Sequence, residues 1–508
     1  MRWHYPFRRA DILALIAGLL MPLAYAPFGL FPFAIVNLGL LFALWHGSSP
    51  ARSAWRGFLF GIGMFGAGVS WVYVSMHDFG NMPVAMAAVA VLLFVSFLAL
   101  YPAMVGWVQA RFAVSGTARQ LLVFLPALWV LAEWVRGWFL SGFPWLNLGY
   151  SQVAGPLAGL APWLGVYGVS LVTALSAGLV ALVLREHGRG RRHYIAGFAA
   201  LWAVCWLAGK LVWVQPSGPA LKAALVQNNV ALNQKWSPEH RAVILQAYLG
   251  ASRQHRDADL IVWPEAAIPA YLQYLEPAFV RDLKREAEDH DTDFLIGVVE
   301  LVTGRSGRRV YNSVISVGST PGVYRKRHLV PFGEFLPLKP LLGWLLNYLH
   351  IPMSDFSAGT RGQPPVTAAG QAIGVSICYE DAFGEEVIEG LPQASLLVNV
   401  SEDAWFGRSL APHQRVQMAR MRAMETGRPM LRAANTGPSA VIDHRGKVLA
   451  RSPQFMSYIL TAEVQPMQGT TPYVRFGNWP VVILSAVMLL IGGYRRGAAG
   501  LSRARSDA

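Results

Sequence analysis

Two cysteines occur in the 508 residues, Cys205 and Cys378, and only Cys378 stands in polar surroundings. It closes the short apolar run 372–377 and is followed by Tyr379, Glu380 and Asp381. One reading is a buried core thiol, since free cysteine is among the most buried residue types. The other is a nucleophile presented where a strand gives way to a turn, a usual place for one, with backbone N–H groups aimed at the reacting carbonyl. A thiol with a pKa of about 8.5 needs a base or a cation beside it to react near neutral pH. Two other apolar runs end in suitable groups. Leu260–Trp263 runs into Pro264 and Glu265, and Gly322–Tyr324 runs into Arg325 and Lys326, with Glu334 eight residues on. Alone, each is an ordinary surface charge; together they supply base, cation and nucleophile for acyl chemistry.

The elements that would position these groups lie in one long polar stretch, 215–478. Apolar, β-branched runs at 223–226, 260–263, 294–299, 373–377 and 396–400 read as buried strands. Helical segments at 238–256, 277–290 and 412–426 separate them, the pattern of an α/β domain. No metal and no organic cofactor is indicated, because His328 and His413 lack ligand spacing and no phosphate-binding glycine loop is present.

The rest of the chain is read against the bilayer. The composition is 54% hydrophobic and 14% charged, too apolar for an ordinary soluble protein. Apolar stretches at roughly 11–45, 57–76, 82–108, 121–139, 163–184, 195–214 and 479–494 approach the length of about 20 residues that a spanning helix needs. Pro22, Pro27, Gly29 and Pro32 crowd the middle of the first, so it reads as an uncleaved helical hairpin rather than a signal peptide, giving about eight spans. The expected domains are a membrane domain at 1–214, an extramembrane catalytic domain at 215–478, and the last span with its tail at 479–508.

Most of the +14 net charge sits in five short arginine-bearing segments around residues 2–9, 52–56, 111–119, 185–192 and 495–505. Arginines concentrate on the cytoplasmic side, and all five segments are cytoplasmic only if the first stretch crosses twice. That topology puts both termini in the cytoplasm and 215–478 on the periplasmic side. It also accounts for the charge without a nucleic-acid footprint, so nucleic-acid binding is not expected.

At Val262-Trp263-Pro264-Glu265, Tyr324-Arg325-Lys326 and Cys378-Tyr379-Glu380 the sequence resembles the nitrilase superfamily over about 220–465. With the flanking spans it resembles, within that superfamily, the apolipoprotein N-acyltransferase family, as do Lys235-Trp236, Tyr311-Asn312-Ser313 and the run His328–Phe335. The resemblance implies an αββα sandwich and a Glu265, Lys326, Cys378 triad. It implies a ping-pong reaction in which Cys378 takes the sn-1 acyl chain of a phospholipid, phosphatidylethanolamine by preference. The chain then passes from the thioester to the α-amine of a diacylated apolipoprotein. Glu265 would be the base, Lys326 the oxyanion partner and Glu334 the carboxylate that keeps Lys326 charged. Tyr379, Glu380 and Trp236 are supporting candidates.

An alternative keeps the chemistry but hydrolyses small C–N substrates, as a membrane-tethered amidase or nitrilase. A transporter or receptor is a further rival, against which stands the scarcity of ionisable residues in the apolar stretches, Glu133 and Arg136 being the main exception. The stretch Leu336–Met353, rich in leucine and aromatics, is expected to form an interfacial arm that guides acyl chains toward Cys378.

Overall fold

The computed structural model describes residues 8–112, 116–304, 307–337 and 355–493. They fall into two compact units: one drawn from 1–73, 84–211 and 476–508, the other from 74–83 and 212–475. The expected arm lies outside the described residues except for Leu336 and Pro337.

The first unit is helical. The proline-rich opening stretch folds as Arg9–Leu20 and Pro32–Trp45, separated by a 3-10 turn at Met21–Ala24. Neither helix has the length of an ordinary span. Among the described residues, three helices are long and apolar enough to cross a membrane: Val84–Arg111, Thr117–Arg136 and Pro156–Arg185. The pair Pro50–Gly68 and Trp71–Phe79, bent by 51°, adds a fourth if taken as one span. Close helix contact explains the small residues on Pro50–Gly68. A Cβ on Gly61 would come within 2.6 Å of Ala99 Cα on the neighbouring helix, and small residues let helix backbones approach this closely in membranes.

Arg52 and Arg56, in one of the arginine-bearing segments, are paired within the helical unit. Both are buried on Asp11, at 2.7 and 3.1 Å, and so brace the first helix against the third. The two ionisable exceptions also have separate partners. Glu133 accepts from Trp129 Nε1 and the Leu148 amide, whereas Arg136 donates to the Phe143 carbonyl and to Asn147 Oδ1.

The second unit is a sandwich of two six-stranded sheets. One runs, in spatial order, Tyr458–Val464, Leu221–Gln227, Leu260–Trp263, Asp293–Gly304, Gly307–Val317, Gly322–Arg325; the other runs Val448–Arg451, Ala440–Ile442, Met430–Ala434, Leu396–Ser401, Gln371–Ile377, Val366–Ala368. Each has three parallel strands at its centre and antiparallel strands outside.

Strand alternation builds the layers. Leu260 and Val262 point into the apolar layer shared with Ile373, Ile377, Val398 and Leu431 of the other sheet. Ile261 and Trp263 point the other way, onto the helices Pro238–Arg253 and Pro277–His290. The outer face of the second sheet is covered by Ala411–Thr426, through Val416, Ala419 and Ala423 on Leu397 and Met430. The result is helix, sheet, sheet, helix.

Candidate active site

Ligand sites in open parallel sheets lie beyond the carboxyl ends of the strands, and here both sheets contribute such ends. Glu265 follows Leu260–Trp263, Cys378 follows Gln371–Ile377, Glu402 follows Leu396–Ser401, and Lys326 follows the antiparallel Gly322–Arg325. Gly297 on the adjoining strand is required for the first of these. A Cβ there would lie 2.1 Å from the Pro264 carbonyl oxygen and 2.7 Å from Glu265 Cα, so only glycine lets the chain carry Glu265 over the sheet edge.

Glu265 is buried and held by both carboxylate oxygens. Oε1 accepts from Asn312 Nδ2 at 2.7 Å and faces Lys326 Nζ at 3.4 Å, while Oε2 accepts from the Glu402 amide at 2.8 Å. Lys326 Nζ donates to Glu334 Oε1 at 2.8 Å. Because Lys326 is only 1% exposed, its pair with Glu334 is an interior one and not a surface contact. Glu334 is fixed in turn by the Val330 amide and by Asn312 Nδ2.

Burial pushes the Glu265 carboxyl up, but Lys326, Asn312, Lys235 and the Glu402 amide outweigh it and hold it below its ordinary range. Burial works against the Lys326 ammonium too, and is overcome chiefly by Glu334 and Glu265, which keep it charged.

Cys378 opens a 3-10 turn, Cys378–Ala382, with φ of +50°. That backbone region costs a side-chain-bearing residue about 1–2 kcal/mol and must be imposed by its surroundings. Burial pushes the thiol up to about 12; Glu265 adds to the rise, and Arg415 and Lys326 oppose it. At neutral pH Cys378 therefore rests as a thiol and Glu265 as a carboxylate, the protonation states that a nucleophile and its general base would need.

The supporting candidates separate by contact. Glu380 joins the Cys378 turn to the Lys326 loop. Oε2 accepts from Tyr324 Oη at 3.0 Å and the Ile377 amide at 2.7 Å, and Oε1 accepts from the Arg327 and His328 amides at 2.7 and 3.1 Å. Tyr379 packs edge-on to Phe383 and His328. Trp236 is half-buried at the end of the short helix Leu232–Lys235.

The neighbouring Lys235 reaches further into the site than Trp236 does. Its ammonium donates to the Glu265 backbone carbonyl at 3.0 Å and pairs with Glu402. Lys235 and Asn312 belong to stretches already singled out by resemblance, without a role. Glu402 and Arg415 were missed, and nothing in their local sequence marks them.

The sandwich, with these groups at its strand ends, defines a carbon–nitrogen hydrolase-type domain carried on a chain with membrane-length helices. Residues 222–473 match the family model described as carbon-nitrogen hydrolase, and residues 17–179 match that of the apolipoprotein N-acyltransferase N-terminal domain. A Methylococcus capsulatus protein named apolipoprotein N-acyltransferase is 47% identical over 96% of this chain and 96% of its own. Proteins of the same name from Nitrosomonas europaea and Vibrio vulnificus are 46% and 40% identical, over 95% and 96% of this chain and 96% and 97% of theirs. The chain belongs to the apolipoprotein N-acyltransferase family.

Proposed function

We propose that this protein transfers the sn-1 acyl chain of a phospholipid, with phosphatidylethanolamine the preferred donor, to the N-terminal α-amine of diacylated apolipoproteins through a thioester on Cys378. Among the observations in its favour, the one that carries it is the buried cluster in which ionised Glu265 and charged Lys326 both act on the Cys378 thiol, in a chain matched to relatives of that name from end to end.

In the first half-reaction Glu265 takes the thiol proton as sulfur attacks the ester carbonyl. Lys326 and a backbone N–H beside Cys378 stabilise the oxyanion. The C–O bond breaks, and Glu265 returns the proton to the departing lysophospholipid. In the second, the amine attacks the thioester, the C–N bond forms as Glu265 takes the amine proton, the C–S bond breaks, and Glu265 passes the proton to the departing Cys378 sulfur, restoring the thiol. Glu334 keeps Lys326 charged and in place, and Glu380 holds the two loops in register. Tyr379 and Trp236 border the site.

The same reading puts 1–214 in the inner membrane, 215–478 on the periplasmic side, and 479–508 back across the membrane to a cytoplasmic terminus, in about eight crossings with the short helices counted. The leucine-rich 336–353 stretch would be the acyl-guiding arm.

The test is incubation of the purified protein with phosphatidylethanolamine labelled in its sn-1 chain, followed by a diacylated lipopeptide. Label bound through a hydroxylamine-sensitive bond, absent in Cys378→Ala and then chased onto the lipopeptide amine, is the expected result. Turnover of small amides without any lipid labelling would turn the reading to an amidase.

A further inference from the structure

The hydrogen bond at the sulfur comes from Arg415. Its Nη1 lies 3.1 Å from Cys378 Sγ, while Nη2 donates to the carbonyl oxygen of the same cysteine and, at 2.9 Å, to Asp381 Oδ1. Lys326, the cation expected there, directs its ammonium to Glu334 and Glu265.

Arg415 is 1% exposed, on the helix that covers the second sheet. A guanidinium does not deprotonate in proteins, so it is a fixed charge and no proton donor. Its second acidic neighbour, Asp403 at 3.9 Å, is gripped by Arg432 at 2.9 and 2.7 Å. The charge of Arg415 is therefore divided chiefly between Asp381 and the sulfur. Arg415 comes ahead of Lys326 among the groups that favour the thiolate, and Asp381 in turn offsets the burial of the guanidinium.

We infer that Arg415 is a further catalytic residue, whose fork holds the Cys378 sulfur as thiolate with one arm and the carbonyl of the left-handed Cys378 backbone with the other, leaving Lys326 for the oxyanion. This deepens, and rests on, the reading of Cys378 as the acylated nucleophile. The proton that leaves sulfur still goes to Glu265. Arg415 compensates the charge left behind and pins the strained turn that aims it.

The test is the rate of alkylation of Cys378 by iodoacetamide in the full-length protein, read by peptide mass spectrometry between pH 7 and 10, where the rate follows the thiolate fraction. Arg415→Gln is expected to slow alkylation about tenfold at each pH, the equivalent of one pKa unit. Arg415→Lys, which keeps the charge and loses the fork, should fall between Arg415→Gln and the native protein. A residue that only braced the turn would, when removed, expose the thiol and leave its alkylation unchanged or faster. That result in a folded variant overturns the inference.

Should Arg415→Gln fail to fold, Asp381→Asn carries the test, because it frees the guanidinium charge for the sulfur. Faster alkylation supports the inference, and unchanged or slower alkylation overturns it. Alkylation needs no lipid, so a failure of the acyl-transfer reading is seen separately, as absence of labelled acyl chain on Cys378 in the native protein.

Discussion

Both units bury charged side chains, and the difference between them is in how the charges are matched. In the helical unit Asp11 is met by Arg52 and Arg56, and Arg136 donates to two backbone carbonyls and an amide oxygen. Each group there has fixed partners and a bracing role. In the sandwich, Lys235, Lys326, Arg415 and Arg432 face Glu265, Glu334, Glu402, Asp381 and Asp403, which is one carboxylate more than there are cations. That surplus is unchanged by moving a proton from Cys378 to Glu265. Burying a new charge is costly, whereas relocating one inside a prepared cluster avoids that cost. A cluster of fixed ion pairs and hydrogen bonds serves as structure, and a cluster in which a negative charge can pass from carboxylate to sulfur can serve as an active site.

The largest expected effect removes the acceptor of that proton. Glu265→Gln should slow formation of the acyl-enzyme by about 10²- to 10⁴-fold, measured by single-turnover labelling with phospholipid. A rate near the native one would show that the surplus charge is not what activates the thiol.

The next effect compares the two kinds of cluster directly. Lys235→Met leaves Glu402 buried without its cation, at a cost of about 3–5 kcal/mol in thermal unfolding, and adding Glu402→Gln should recover most of it. Arg52→Met leaves Asp11 with Arg56 and should cost clearly less. Equal losses would show that the two kinds of cluster do not differ.

Glu334→Gln is milder, since Lys326 keeps Glu265 beside it. Its turnover should fall by roughly the tenfold that a lost opposite charge of about one pKa unit brings, with little change in thermal midpoint.

The smallest effect is one of pH. Burial pushes the Glu380 carboxyl up to about 6, against the pull of the Ile377, Arg327 and His328 amides and of Lys326. As pH falls through that value Glu380 takes up a proton, and an oxygen that accepts hydrogen bonds becomes a donor facing other donors. The link between the Cys378 turn and the Lys326 loop then loosens, and turnover should decline near pH 6 while Glu265 is still ionised. The linkage sign is opposite for stability. A carboxyl raised in the folded state binds its proton more tightly there, so the contribution of Glu380 to stability grows as pH falls from about 6 toward the ordinary 4.5. Activity that declines while the thermal midpoint holds or rises marks Glu380 as a positioning group. In Glu380→Gln that acid limb should disappear, at a lower plateau.

The strand ends were legible because a short apolar run followed by a single charged or nucleophilic residue is a local signal. Leu260–Trp263 and Pro277–His290 appear with the bounds the sequence suggested. The strand Gly307–Val317 was not recognised, because its exposed opening residues, Gly307, Arg308 and Arg309, break the apolar run. Arg415 was illegible for a different reason. It lies in a helix with glutamines, arginines and a histidine that reads as solvated, yet Gln414, Arg415 and Arg422 are all buried; the site beneath that helix, and not helix periodicity, decides its polarity. Prolines break the first apolar stretch into two helices shorter than an ordinary span, Arg9–Leu20 and Pro32–Trp45, because composition counts the apolar residues whereas the helices stop at the breaks.

The central claim is tested most directly by mixing the full-length protein with phospholipid, quenching in acid, and locating the bound acyl chain by peptide mass spectrometry in the native protein and in Glu265→Gln. A single acyl chain on Cys378 that forms quickly in the native protein, and at least about a hundredfold more slowly in Glu265→Gln, is the result expected. An acyl chain on another residue, or equal rates in the two proteins, would contradict the account.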